Sequence, residues 1–454
     1  MEEITLCVGL VAAALVLLIK PRYGLLIYLI TLLCYPSYLR IVVLGCTVST
    51  GRLVVVALLI RCLLDEQLRR GFRWTKLDTL VIVADTVYML ALSYSFGNAF
   101  IAGIKLQSGS MVDTTFAYFS VRLIINNRDV LVHFVKVAAI ILVIMAFLGI
   151  FEAATKRSPY IGLLKYSFNA DDPMLANKFE ARLAQGQDER FGFFRAQGAH
   201  PHPIIFGASF AVLLPLVWKL FYHTRWKRFR ILICGAIVVG GASSVSSTPF
   251  TGIFAALAGL AFERLERWGK HFVVLAVLMC CFVEFYSQRN HFYYVFFAKM
   301  SFLGGDAFFR GNLIDAALKH LPEYWLAGYG FRDPGWGLEI YGVQYTDLVV
   351  HFVFLMAMYG VFGLLAYLAI VFKLFFSLWR KYRRSVETID RNICWALIVS
   401  ILVTLTLDLG VTPFGVLPSL YSIIFGIGGS VTSPYFNKQY TTRNSHDLLA
   451  ASCT

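Results

Sequence analysis

The chain has 454 residues, 58% of them hydrophobic and 15% charged, with a mean hydropathy of +0.68. That composition excludes an ordinary soluble domain. The net charge of +14 does not point to nucleic acid either, because the basic residues fall in short stretches between apolar runs, where the positive-inside rule places them whatever the function.

Apolar runs of about 16–22 residues recur along the whole chain, the length that a hydrocarbon core of roughly 30 Å demands of a helix. They are continuous rather than alternating, which argues against a membrane barrel. The spacing predicts an all-α, polytopic membrane protein with about 12–13 transmembrane helices. The expected spans are 4–19, 23–36, 49–64, 79–96, 110–125 and 131–152, then 203–221, 229–245, 249–262 and 271–287, then 347–372, 392–409 and 414–430. The first run follows Met-Glu-Glu rather than a basic segment, so it is expected to be a permanent span. Nine scattered cysteines show no Cys-x-x-Cys or Cys/His spacing and support neither a zinc site nor a disulfide framework. Cys7, Cys34, Cys234, Cys280 and Cys394 lie in apolar runs and read as small buried hydrophobes.

Basic residues orient the spans. Lys20 and Arg22, then Arg69 to Lys76, His223 to Arg230, Arg264 to Lys270 and Lys373 to Arg391 all fall on one side if the N-terminus is outside. That side is then the cytoplasm, and the polar tail 432–454 lies there too. The chain thus divides into N-terminal helices (1–152), an external loop (153–202), central helices (203–287), a second external loop (288–346), C-terminal helices (347–431) and the tail. Two external loops this long point to function, because a compact bundle needs only short turns.

The first loop ends in "DERFGFFRAQGAHPHP". Arg182, Arg190 and Arg195 make it cationic, and Pro201 and Pro203 suit a helix start. Arg195 is then expected near a helix N-terminus beside His200 and His202, a combination that suits a phosphate. Arginines at this depth also serve as interfacial anchors, the plainer reading for Arg182 and Arg190. Further on, "GGASSVSSTPFTG" joins two apolar runs outside, with Ser246 and Ser247 among its hydroxyls. These could meet a sugar or phosphate, or serve only for helix capping and close packing.

In the second loop, residues 308–320 carry Leu313, Ala316, Ala317 and, just beyond, Leu321 at helical spacing. They predict a short amphipathic helix on the membrane, opened by Arg310 and closed by Lys319 and His320. The Gly-rich "LAGYGF" follows, and Trp325, Tyr329, Phe331, Trp336, Tyr341 and Tyr345 offer stacking surfaces for sugars. Asp347 and His351 then stand four apart at the head of the next span, where a helix would put them on one face. A carboxylate beside an imidazole makes a general base; a helix cap plus a hydrogen-bonded histidine is the alternative.

These clusters, in this order, resemble the O-antigen ligase and polysaccharide polymerase family of bacterial envelopes. The likeness runs over roughly residues 120–375: "FRAQGAHPHPIIFG" before a mid-chain span, the serine-rich hairpin, "FRGNLIDAALKHLPEYWLAGYGF", and "TDLVVHFVFLMAMYGVFGLLAYL" ending in Gly360 and Gly363. Phe352 follows His351 where ligases usually carry a polar residue, and Gly360 comes two positions early, so the chain looks closer to the exopolysaccharide polymerases. The resemblance implies a metal-independent, inverting glycosyltransferase without a cofactor, working at the outer face of the inner membrane. Its donor would be an oligosaccharide on undecaprenyl pyrophosphate. Arg195 and Arg310 would hold the pyrophosphate, and Asp347 or His351 would take the acceptor's proton. Membrane lipid, a chain-length regulator and export proteins are the implied partners. A lipid-linked oligosaccharide flippase, or a non-catalytic scaffold, would need a different layout. The flippase calls for charged residues facing a cavity at mid-membrane, for which Asp85, Lys136, Glu284 and Asp408 are the few candidates.

Overall fold

The computed structural model describes residues 2–43, 46–97, 100–160, 189–286, 291–300 and 307–436. Arg182, most of the first external loop and the tail beyond 436 lie outside the described residues. The expected helical character holds with one departure. Arg40–Val43 (β1) and Cys46–Ser49 (β2) form an antiparallel hairpin between the second and third helices. Both strands are rich in β-branched residues and too short to span, so strand pairing satisfies their backbone instead.

The first helices are α1 (Glu2–Leu18), α2 (Pro21–Cys34), α3 (Thr50–Leu64), the short α4 (Glu66–Gly71) and α5 (Lys76–Phe96). Next, α6 (Phe100–Met111) continues through a π-helical turn at Val112–Phe116 into α7 (Ala117–Ile124), and α8 (Arg128–Thr155) completes the group. After the first loop come α9 (Pro203–Leu220), α10 (Arg230–Ala242), α11 (Ser247–Phe262), α12 (Gly269–Tyr286) and α13 (Phe292–Met300). The second loop contains α14 (Ala307–Lys319), α15 (Leu321–Tyr324) and α16 (Gly337–Tyr341), followed by α17 (His351–Arg384), α18 (Thr388–Asp408) and α19 (Leu417–Thr432). The starts carry local caps. Thr75 and Asp78 form a reciprocal capping box on α5, and Asn127 Oδ1 accepts from Val130 N at 3.0 Å on α8.

Five helical stretches are long and apolar enough to cross a membrane: Lys76–Phe96, Arg128–Thr155, Pro203–His223, His351–Arg384 and Thr388–Asp408. Glu3–Leu18, Pro21–Cys34, Val274–Tyr286 and Leu417–Thr432 are apolar but shorter. The helix α9 is buried along almost its whole length and packs against α8, α10, α11 and α18. A helix apolar all round belongs at the centre of a bundle. Small residues let its neighbours close in: a Cβ on Gly207 would meet Ser244 Oγ at 2.5 Å and Pro249 Cβ at 2.6 Å.

Contacts between helix ends sort the chain into two faces. On one, Arg122 pairs with Asp78 at 3.3 Å, Arg128 with Asp390 at 2.7 Å and Arg383 with Glu266 at 3.6 Å. There too His223 meets Asn392 at 2.7 Å, Lys219 meets Glu263 and Arg73 lies over the Tyr435 ring. These are the basic turns that the charge pattern assigns to one side. The opposite face gathers the end of α2, the hairpin after α10, the loop 409–416 and the described parts of the two long connections. Residues 291–300 and 307–350 form a cap on this face with its own small core of Phe297, Leu313, Ala316, Tyr324, Trp336 and Val350.

Candidate functional site

The segment before α9 is laced into the bundle rather than looping away. Phe194 N donates to Ala153 O at 3.3 Å, Ala196 N to Ser243 O at 3.0 Å and Gly198 N to Glu152 Oε2 at 3.0 Å. From the other side, Ser37 N donates to Ala199 O at 3.3 Å. Arg195 is consequently only 5% exposed, and Arg190 lies further out on a small turn with Phe193. A nearly buried guanidinium is costly unless strongly partnered, which sets Arg195 apart from a snorkelling anchor. The two histidines divide. His202 is the N-cap of α9, its Nδ1 accepting from Ile204 N at 3.1 Å. His200 is fully buried against Phe206, with Nε2 3.5 Å from Ser209 Oγ, and burial pushes it down to about 3. It stays neutral at physiological pH.

The serine-rich hairpin joins this segment to the second loop. Ser243 Oγ and Ser244 Oγ donate back to Gly240 O and Gly241 O at 2.7 and 2.8 Å, so these two hydroxyls finish a helix. Ser246 is buried at the N-cap of α11 but makes no side-chain cap bond, and Ser247 is half-buried beside it. Thr248 Oγ1 lies 3.5 Å from Gly410 O, and Arg310 Nη2 donates to the same carbonyl at 3.0 Å. One helical hairpin therefore meets the Arg195 segment at the end of α10 and, at the start of α11, the Gly410 carbonyl that Arg310 holds.

Arg310 rides on α14, whose Leu313, Ala316 and Ala317 are buried as their spacing predicts. The Gly-rich stretch does something its sequence did not announce. The helix α17 is broken at Gly360 (φ 69°, ψ −172°), and residues 325–330 dock into the break. Tyr329 N donates to Ala357 O at 2.6 Å, Gly330 N to Met358 O at 3.2 Å and Val361 N to Trp325 O at 2.7 Å. These bonds satisfy backbone groups that the break would otherwise leave orphaned.

The expected pairing of Asp347 with His351 on one helix face is corrected. The helix starts at His351, with Val350 as N-cap, so Asp347 lies before it in irregular backbone and is exposed. Asp347 N donates to Tyr341 Oη at 3.0 Å, which holds the segment to the cap instead of starting the helix at 347. His351 turns inward. It lines a cavity of about 290 Å³ among α5, α6, the π turn, α17 and α19, its ring edge-on to Tyr367 at 5.2 Å. Its Nδ1 has no hydrogen-bond partner among the described residues.

Two features escaped the sequence reading. The loop 409–416 is the hub of this face. Its Gly410 carbonyl holds Arg310, Thr412 Oγ1 donates to Leu348 O at 2.5 Å just before His351, Phe414 packs on His202 and Gly415 abuts Pro201. As a four-residue gap between the expected spans 392–409 and 414–430 it carried no signal. The second is the partnering of Asp85 and Asp408, which the sequence showed only as acids within apolar runs. Asp408 accepts from Tyr367 Oη at 2.5 Å, and Asp85 accepts from Thr115 Oγ1. Among the described residues no three His, Cys, Asp or Glu side chains converge as a metal-ligand set. No protein-family model matches the chain, and no curated protein matches it.

Proposed function

We propose that this chain is a polytopic membrane glycosyltransferase of the bacterial inner membrane, working at the face opposite its basic turns. It joins oligosaccharide repeat units carried on undecaprenyl pyrophosphate into a polymer. One observation carries the reading: Ala196, next to Arg195, bonds to Ser243 of the serine-rich hairpin, while Arg310 reaches the Gly410 carbonyl beside Thr248 of the same hairpin, and Pro413 of that 409–416 loop lines the cavity that includes His351. A lipid-linked pyrophosphate needs cations at the depth where lipid meets water. An arginine–phosphate fork is charge-assisted and contributes about 1.5–3 kcal/mol per contact. In the reaction, an acceptor hydroxyl attacks the anomeric carbon of the donor, and the bond from that carbon to the pyrophosphate oxygen breaks. The leaving pyrophosphate stays on its prenyl carrier, where the two arginines offset its growing charge. Asp347 or His351 takes the hydroxyl proton. Transfer of finished polymer to another acceptor, as a ligase does, uses the same parts.

A flippase is the second reading, favoured by Asp85 on the cavity wall within the bundle. Purified protein in liposomes with a lipid-linked repeat unit separates them. Glycosyl transfer yields products of two or more units, and Arg195→Lys and Arg310→Lys lose most of them at normal protein level, because a lysine cannot form the fork. Movement of the repeat unit across the bilayer with no new glycosidic bond would replace transfer by transport.

A further inference from the structure

The proposed reaction uses the 290 Å³ cavity only through His351, yet the other walls are unusual for a space inside an apolar bundle. We infer that the cavity is a carbohydrate-binding site that seats the terminal sugar ring of the acceptor; this rests on the transfer reading above. Its volume equals that of roughly ten liquid waters, room for one pyranose ring with its substituents. It reaches the outer face, since Phe331 of the cap and Pro413 of the 409–416 loop both line it.

The chemistry of the lining separates a sugar from a lipid tail. A hydrocarbon chain asks only for apolar walls. Here Asp85, Gln107, Ser110, Thr114, Thr115 and Ser422 line the space; Thr114 and Thr115 spend their donors on Ser110 O and Asp85, which leaves the Asp85 carboxylate and the Gln107 amide with capacity for a ligand. Asp85 takes one bond from Thr115, and a carboxylate has about four acceptor sites, so capacity is left for hydroxyl donors. Aromatic faces complete the match. Tyr88, Phe354, Tyr359 and Tyr367 line the same space, with Tyr88 and Tyr359 packed on each other at 4.4 Å between centroids and Tyr359 Oη donating to Gln107 Oε1 at 3.4 Å. A pyranose presents apolar C–H faces and a hydroxyl rim, which suits ring faces interleaved with a carboxylate, an amide and alcohols.

The backbone points the same way. Thr114 and Thr115 come from the π turn, and Met358 and Tyr359 lie just before the break in α17 at Gly360. Both irregularities border one cavity. Non-helical backbone at membrane depth is tolerated where it is buried in protein or lines a cavity, and π turns occur often at functional sites. His351 lines the same wall, so a sugar seated here brings its hydroxyls to the side from which a proton must be taken.

The test is saturation-transfer difference NMR on the full chain in nanodiscs. The probes are the methyl glycosides of glucose, galactose, N-acetylglucosamine and glucuronic acid, with farnesol as the lipid comparison. Ring-proton signals are expected from at least one glycoside. They should fall at least about fivefold in Asp85→Asn and in Gln107→Leu, and in Ser110→Trp, which fills the space. Arg195→Lys should keep them while losing polymer synthesis, which distinguishes this site from the pyrophosphate clamp. No glycoside signal from the wild type overturns the inference, as do unchanged signals in the folded variants. So does farnesol being the molecule whose signal those variants abolish. Normal polymer synthesis by Arg195→Lys would instead remove Arg195 from the pyrophosphate clamp, and wild-type protein that forms no glycosidic bond would remove the transfer reading, leaving the sugar site to stand or fall on the spectra.

Discussion

Replacing Gly360 by alanine probes the joint between the outer cap and α17. The residue has φ 69° and ψ −172°, a region that essentially only glycine occupies, and forcing another residue there costs about 1–3 kcal/mol. Space is the second difficulty. A Cβ would lie 2.5 Å from the carbonyl carbon of Leu326 and 2.7 Å from Ala327 N, with Leu326 O closer still. Ordinary carbon contacts need roughly 1 Å more, and the neighbour is backbone, so it cannot rotate away. Relieving the clash means moving residues 325–330. That breaks the bonds of Tyr329 N, Gly330 N and Val361 N across the joint, together about 3 kcal/mol at about 1 kcal/mol each. The sum is about 5 kcal/mol, but the bundle need not bear it, because the cap can undock locally. Hydrogen exchange read by mass spectrometry should show protection at the Tyr329 and Gly330 amides falling by at least about a hundredfold, with α9 unchanged. Gly235→Ala is the control: nothing lies within 4 Å of its Cβ, and within α10 the change should be neutral or stabilising by up to about 1 kcal/mol. Wild-type protection in Gly360→Ala would show that residues 325–330 do not hold the break.

Further expectations concern chemistry and charge. Asp347→Asn and His351→Gln remove proton acceptance at similar size, so turnover of a lipid-linked oligosaccharide should fall about 10²–10⁴-fold at the residue that is the base. Near-normal rates in both would move the base elsewhere. His320 lies between Glu323 (2.7 Å) and Glu339 (3.2 Å), and these carboxylates raise its pKa above the ordinary 6.5. The resulting cap stability is therefore fully present below pH 6.5 and is lost as pH rises through the raised value. Limited proteolysis of the cap should speed up from pH 6 to pH 9, and His320→Gln should flatten that dependence. At the basic face, Arg128 bridges Asp390 and Glu387 from α8 to the start of α18. Arg128→Ala should cost about 1–3 kcal/mol, read as a lower melting temperature in detergent. An unchanged midpoint would mark the bridge as a surface ornament. Finally, cysteine placed at Ser247 or Trp325 should react with an impermeant thiol reagent in intact spheroplasts, and labelling only after lysis would invert the proposed orientation.

How much of this was legible beforehand follows from the range of the forces involved. Helices, their ends and their orientation come from local composition: apolar length, a capping Asn127 or Thr75, basic residues after every second run. Accordingly the described helices track the expected spans, with α6, the π turn and α7 together in the place of the fifth. The amphipathic face of α14 was equally local, because Leu313, Ala316 and Ala317 recur at helical spacing. What spacing could not supply is anything that depends on which segments meet. The i, i+4 relation of Asp347 and His351 presupposed a helix between them, but Asp347 N finds Tyr341 Oη and the helix starts later. Gly360 looked like part of a small-residue motif, and only the docking of residues 325–330 shows that it breaks a helix. Arg195 and Arg310 are 115 positions apart by their numbering, and no periodicity says that one hairpin lies between them. That was decided by tertiary packing, where the carbonyl of Gly410 accepts from Arg310 and stands beside Thr248. Asp85 and Asp408 were readable as acids in apolar runs, but their partners and the cavity beside them exist only once the helices are assembled, because partners and cavity walls come from segments far apart in the chain.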